Sequence, residues 1–262
     1  MHNEKGGNTM ITILLARHGQ ASFGQKNYDN LSELGMTQAR MLGEHYANTE
    51  RRIDAIFSGS LVRQQDSARH FIESYQAVLA NSNQSTTLSD KQLDLTESNL
   101  IVAFNEFNHQ DVLTKSNPAF ASQAAIAMEI NQAKVPKLRL AELFDQAMQR
   151  WHGGDYDSDY VESWTQFNDR TQQALEQIRT KAISLETPDE DSTVLVFTSG
   201  GVIAAITAQL FKQDSQMAYQ LNKRLINTGV TAITLQKQSL RLLSLNEYSH
   251  LFSAGERFVT WR

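Results

Sequence analysis

The chain has 262 residues, with 24 basic and 29 acidic side chains, a formal charge of −5 and no cysteine. The missing thiols exclude disulfides, thiolate catalysis and zinc sites built on sulfur, and the mild acidity gives no electrostatic footprint for nucleic acid or an anionic membrane. The 40% apolar content is enough for a sizeable core, yet no run approaches the ~18 apolar residues of a membrane span.

The opening MHNEKGGNT is polar and Gly-rich and lacks an apolar h-region. Residues 1–10 are therefore expected to be a disordered extension without a secretory signal, and a cytoplasmic location is expected. Ile11 to Ala16 is a nearly continuous β-branched and apolar run, which predicts a buried strand stopping at Arg17-His18-Gly19. Ser32 can cap a helix with Leu34, Met41, Leu42 and Tyr46 on one face. Ala55-Ile56-Phe57 predicts a short strand ending at Ser58-Gly59-Ser60, followed by a helix through Leu61, Ala68, Phe71, Ile72 and Tyr75. A short third strand is expected at Gln92–Leu95.

From about residue 98 to 160 the pattern changes. Helical segments near Phe120–Ile130 and Leu140–Met148 alternate with polar loops, which predicts a helical insertion within one domain spanning 11–262. A helix near Glu162–Ile183 follows, with Asp159 as its expected cap. Val194 to Thr198 predicts the fourth strand, ending at Ser199-Gly200-Gly201 and entering a helix over Val202–Phe211. Gly229–Leu235 and Leu240–Leu245 form a closing strand pair. Strands alternating with helices imply a three-layer α/β/α sandwich on a mostly parallel sheet.

Ligands of such sheets gather beyond the carboxyl ends of the strands. That rule brings together Arg17-His18-Gly19, the stretch Ser58 to Arg63, and Thr198-Ser199-Gly200-Gly201, the last at a helix N-terminus that favours an anion. Two arginines, a histidine and a helix start suggest a phosphate site, because arginine forks match phosphate oxygens bidentately. An Arg-His dipeptide is more often surface decoration, but here it ends a buried strand and Gly19 permits a sharp turn.

Leu15-Ala16-Arg17-His18-Gly19-Gln20 resembles the signature of the histidine phosphatase superfamily, the phosphoglycerate-mutase-like proteins. The resemblance continues through Asn30-Leu31-Ser32-Glu33-Leu34-Gly35, through Ser58 to Ala68, through Phe197-Thr198-Ser199-Gly200-Gly201-Val202-Ile203, and through Asn246 to Leu251. Five motifs in the family's order span the chain from about Ile11 to Leu251. The resemblance implies a metal-independent, cofactor-free phosphatase for a small phosphorylated substrate, with His18 as the nucleophile that becomes phosphohistidine. Arg17 and Arg63 would clamp the phosphoryl oxygens, with Gly200 at the helix start nearby. The unused nitrogen of His18 should donate to a backbone carbonyl. A carboxylic acid must protonate the leaving alkoxide and later deprotonate water; Glu106 stands at the family's place for it, flanked by Phe104 and Phe107, and Glu97 competes.

Two departures from the family pattern are visible. Ser199 stands where the family has its second histidine, and His109 is the nominated replacement, on the expectation that it shares a helical face with Glu106. Gly24 stands where many members carry a phosphate-holding asparagine, and Ser22 or Asn27 would take its place. Other readings remain: a phosphate-binding protein without turnover, or a mutase-type phosphotransferase, although the long loop mutases carry after the first motif is shortened here. A serine hydrolase using Ser199 with Asp214 and His250 would need glycine where Phe197 stands. Asp155, Asp157, Asp159 and Glu162 imitate a calcium loop, but Tyr160 and Gln166 occupy positions that an EF-hand requires as Gly and Glu. Nothing excludes a homo-oligomer.

Overall fold

The computed structural model describes residues 10–22, 29–81, 93–120, 122–185, 190–236 and 239–261. The expected extension thus lies, apart from Met10, outside the described residues, as do Gly24 and Asn27. Among the described residues the strands are β1 (Ile11–Arg17), β2 (Ala55–Ser58), β3 (Ser192–Thr198), β4 (Val230–Gln236) and β5 (Ser239–Glu247), in the sheet order β2-β3-β1-β4-β5. The core strands β2, β3 and β1 run parallel, while β4 and β5 close one edge antiparallel.

Strand periodicity explains the layering. Ile11, Ile13 and Leu15 of β1, with Val194 and Val196 of β3, face helices α6 (Trp164–Ser184) and α7 (Gly200–Leu210). Leu14 and Ala16, with Leu195 and Phe197, face helices α1 (Glu33–Asn48) and α2 (Val62–Asn81). The two central strands are buried on both faces, which is why they read as unbroken apolar runs. The result is the three-layer α/β fold.

The segment 98–160 is helical: α3 (His109–Lys115), α4 (Gln123–Gln132) and α5 (Pro136–Gly153), with 3-10 turns between them. Phe107, Val112, Met148, Trp151 and Tyr160 from this segment join the cluster beneath α6 and α7, whereas Phe120, Ile126 and Leu143 make a small cluster of their own. Helix α8 (Ser215–Asn222) follows α7, and α9 (Ser249–Phe252) lies near the chain's end.

Two local expectations need correction. Gln92 lies outside the described residues, and Leu93–Leu95 forms no strand. The Leu93 side chain is buried, and its carbonyl accepts from Gln76 Nε2 at 2.9 Å in place of a ladder partner. Among the described residues the isolated bridge beside β2 is Ser58 to Leu100. The cap of α6 is Ser163, whose hydroxyl accepts from Gln166 N while Gln166 Oε1 accepts from Ser163 N, a reciprocal capping box. Asp159 instead pairs with Arg150. Elsewhere in the calcium-like run, Glu162 pairs with Arg170 and Asp157 accepts from Thr165.

Candidate active site

The site sits where β1, β2 and β3 end. His18 leaves β1 with its backbone N–H donating to Thr198 O at 2.8 Å, so the strand ladder itself fixes the turn. Gly19 is required there: a Cβ would stand 2.3 Å from the Gly35 carbonyl oxygen. Gly35 is equally constrained, its Cβ position lying 2.1 Å from Gln20 O. Each glycine lets the other's backbone approach, which locks the turn after β1 onto the start of α1. Gly19 N also donates to Ser67 Oγ at 2.9 Å, and Asn227 Nδ2 donates to His18 O at 3.1 Å.

The His18 ring is buried. Its Nδ1–H donates to Gly19 O at 2.7 Å, because a carbonyl can only accept. That fixes the tautomer and leaves a lone pair on Nε2, which accepts from Arg63 Nε at 3.2 Å. Burial is the main force holding the His18 pKa well below the ordinary histidine value. The positive fields of Arg63, Arg17 and His109 act the same way, against the Gly19 hydrogen bond. A neutral, directed imidazole nitrogen is what nucleophilic attack at phosphorus requires.

Arg63, the second residue of α2, also places Nη1 2.7 Å from Asp29 Oδ1, and the other oxygen of Asp29 accepts from Val62 N at 3.0 Å. Arg17 is anchored by Nη1 to the Leu225 carbonyl and, at 3.0 Å, to the Trp261 carbonyl. Its guanidinium lies against Gly200, where a Cβ would meet Arg17 Nε at 3.4 Å.

Ser199 precedes α7 in the N-cap position, but its side chain makes no capping bond. Its Oγ instead accepts from Gln64 Nε2 at 2.8 Å, and both residues are fully buried. The capping duty falls to Glu106, whose Oε2 accepts from Gly201 N at 3.0 Å; a Cβ on Gly201 would stand 2.2 Å from Glu106 Oε1. A carboxylate at a helix N-terminus is favourably placed in the helix dipole. The segment carrying Glu106 is held on three sides. Phe104 O accepts from Thr198 Oγ1 at 2.7 Å and Gln64 Nε2 at 3.0 Å, Asn105 Oδ1 accepts from Ser60 N at 2.7 Å, and Arg170 Nη1 donates to Ala103 O and Asn105 O.

The candidates fare unevenly. Arg17, His18, Arg63, Ser199, Gly200 and Glu106 converge at the strand ends. Glu97 is exposed on a 3-10 turn beyond β2. His109 packs edge-on against Phe107 with ring centroids 4.2 Å apart and lies near enough to bias His18. It does not share a helical face with Glu106, however: Asn108 caps α3, so Glu106 precedes the helix and His109 begins it. Ser22 is buried and donates to Asn30 O at 3.1 Å, a bond that closes its own loop. The hydrolase triad does not assemble. Asp214 caps α8 through Met217 N, and His250 Nε2 meets Thr228 Oγ1 at 2.9 Å while Ser199 is bound to Gln64.

Asp29 and Gln64 also contact the residues gathered at this site, and the motif reading passed over both. Gln64 was visible in principle, since it begins the series 64, 67, 68, 71, 72, 75 that α2 buries. Asp29 had no such signal, because only the folded loop brings it to Arg63.

The chain belongs to the histidine phosphatase superfamily (branch 1): the family profile matches residues 13–84 and 128–248, more than half of the chain. Among solved structures it is similar to a phosphoglycerate mutase from Bacillus anthracis, with a TM-score of 0.60 and 16% identity over 93% of this chain and 96% of that one. A protein described as mycobacterial hydrolase 1 gives a TM-score of 0.58 and 20% identity, covering 91% and 99%. A phosphoserine phosphatase from Entamoeba histolytica, solved with 3-phosphoglyceric acid, gives 0.54 and 18%, covering 92% and 99%. At these identities the likeness establishes the fold. No curated protein matches the chain in sequence.

Proposed function

We propose that the protein is a phosphatase that hydrolyses a small phosphate monoester through phosphohistidine at His18. The observation that carries this reading is the His18 tautomer, with Nδ1–H spent on Gly19 O and the Nε2 lone pair beside Arg63. His18 Nε2 attacks phosphorus, the bond to the ester oxygen breaks, and Glu106 gives that oxygen its proton. Water, deprotonated by Glu106, then attacks the phosphohistidine, releasing phosphate and restoring Nε2. Arg17 and Arg63 neutralise charge on the transferring group, so a divalent cation has no necessary role.

In this reading Ser199 takes the place of the family's second histidine. The exchange removes a charge-assisted hydrogen bond of ~1.5–3 kcal/mol, or ~10–150-fold in rate. His109, whose field reaches His18, supplies a replacement donor when substrate is bound. A His109→Ala enzyme should then lose ~10-fold or more in kcat/KM; unchanged kinetics would remove His109 from the mechanism.

The burial of Ser199 against Gln64 favours a second reading, a pocket that binds phosphate without turnover. Hydrolysis of p-nitrophenyl phosphate separates the two. The phosphatase reading expects activity that survives chelator, disappears in His18→Ala, and leaves an acid-labile, base-stable phosphoenzyme on quenching. Absence of turnover with phosphate still bound would select the second reading. The substrate would be set by the variable segment between residues 99 and 160 and by nothing in the phosphate pocket.

A further inference from the structure

Asp29 lies outside the family motifs quoted above, yet its carboxylate is fixed at both oxygens. Oδ1 accepts from Arg63 Nη1 at 2.7 Å and Oδ2 from Val62 N at 3.0 Å. Val62 is the first residue of α2 and Arg63 the second, so one carboxylate binds both the start of the helix and the side chain that projects from it. The first turn of α2 has no acidic residue of its own, and Asp29 supplies that charge from another segment. The Arg63 side chain is 9% exposed and that of Asp29 31%, so the pair is more sheltered than an ordinary surface ion pair.

The orientation of the guanidinium decides what this pair does. Nε and Nη2 form one edge of the planar fork, and Nη1 points away from it. The Nε of that edge donates to His18 Nε2 at 3.2 Å, while Nη1 is the atom held by Asp29. Two phosphoryl oxygens can therefore be received at the Nε–Nη2 edge, next to the attacking nitrogen, while Nη1 stays with Asp29.

We propose that Asp29 is a positioning residue that braces Arg63 from behind, so that its fork faces the phosphoryl group at His18. The inference rests on the phosphatase reading. Without the brace the long side chain regains rotamer freedom, and each binding event must freeze it again. A contrasting possibility is that Asp29 occupies the place of the substrate and is expelled when phosphate arrives. The second anchor at Val62 N argues against expulsion, since departure would also uncap α2.

The test compares wild type, Asp29→Ala, Asp29→Asn, Arg63→Ala and the Arg63→Ala/Asp29→Ala double variant. The measurements are vanadate inhibition, kcat and KM on p-nitrophenyl phosphate, and Tm. Bracing expects Asp29→Ala to weaken vanadate about 10-fold or more and to lower kcat as well as raise KM, because a misaimed fork costs transition-state contacts. Asp29→Asn keeps an oxygen for Nη1 and should recover much of the loss. Once Arg63 is gone, removing Asp29 should change the kinetics no further. Tighter vanadate binding in Asp29→Ala would overturn the proposal in favour of expulsion. A lowered Tm with unchanged kinetics would overturn it in favour of a helix cap alone. Wild-type protein that neither turns over the ester nor binds vanadate would defeat the phosphatase reading itself, and this inference with it.

Discussion

Gln64 Nε2 donates to Ser199 Oγ at 2.8 Å with both side chains fully out of solvent, tying the third residue of α2 to the turn between β3 and α7. The same nitrogen donates to Phe104 O at 3.0 Å, so one amide links α2, the β3–α7 turn and the segment that carries Glu106. The pair fills the interior between these elements with neutral hydrogen bonds.

Ser199→Ala should therefore leave a buried amide N–H short of a partner and cost about 1–3 kcal/mol, read as a fall in denaturation midpoint. Ser199→His alone should overpack the pair at a similar cost. Adding Gln64→Ala should relieve that strain, and the double variant should exceed wild type in kcat/KM by ~10-fold or more. Equal stability of Ser199→His and the double variant would show that Gln64 does not limit the space.

Glu106→Gln keeps an oxygen to accept from Gly201 N, so its stability should stay within about 1 kcal/mol of wild type. Its kcat/KM on an alkyl phosphate, which reports the steps up to loss of the alcohol, should fall ~100-fold or more. With p-nitrophenyl phosphate the loss should be smaller, because nitrophenolate leaves without a proton. Equal losses on both esters would assign the proton to another group.

Gly19→Ala places a methyl 2.3 Å from the Gly35 carbonyl oxygen, a backbone atom that cannot swing aside. The variant should lose more than ~3 kcal/mol of stability or displace His18 from Arg63. Gly153→Ala is the control, since a Cβ there meets nothing within 4 Å. Similar melting of the two variants would contradict the packing described.

Acid should destabilise the protein through its buried neutral histidines. Burial lowers His152 to about 4, and burial with the field of His45 lowers His250 to about 3; His18 also lies well below its ordinary value. Below the ordinary histidine value of about 6.5 the unfolded chain takes up protons that the native chain refuses, so stability falls as pH falls. Each such histidine contributes up to about 1.4 kcal/mol per pH unit until its folded value is reached. The denaturant midpoint should be level above about pH 7 and decline below it, less steeply in His250→Gln. For the reaction, a His18 that stays neutral places the acid limb of kcat/KM below 6.5; an acid limb above that value would contradict the His18 environment.

The buried strands were legible because burial on both faces demands unbroken apolar runs, as in Ile11 to Ala16 and Val194 to Phe197. Rules for ligand sites in open sheets then led to Arg17, His18, Arg63 and Gly200, since each lies within a few residues of a strand end. Leu93–Leu95 misled because its apolar side chain packs on a core face, although the backbone never joins the ladder. Asp159 misled as a cap although Ser163-Trp164-Thr165-Gln166 carries the capping-box spacing, and Ser163 won by closing that two-way box with Gln166.

By itself, the sequence determined the layered α/β fold, the family, and the residues whose positions follow from their own strand or helix. It also carried the nitrogen chemistry of His18, because an imidazole has two nitrogens and a turn offers a carbonyl to one of them. Only the tertiary structure decided which polar groups meet across the chain: Asp29 with Arg63, Gln64 with Ser199, Glu106 with Gly201. These pairs join residues 34 to 135 positions apart. Hydrogen bonding is short-ranged and directional, so such partners are fixed by the packing of separate elements, whereas strand burial leaves its periodic mark on each segment alone.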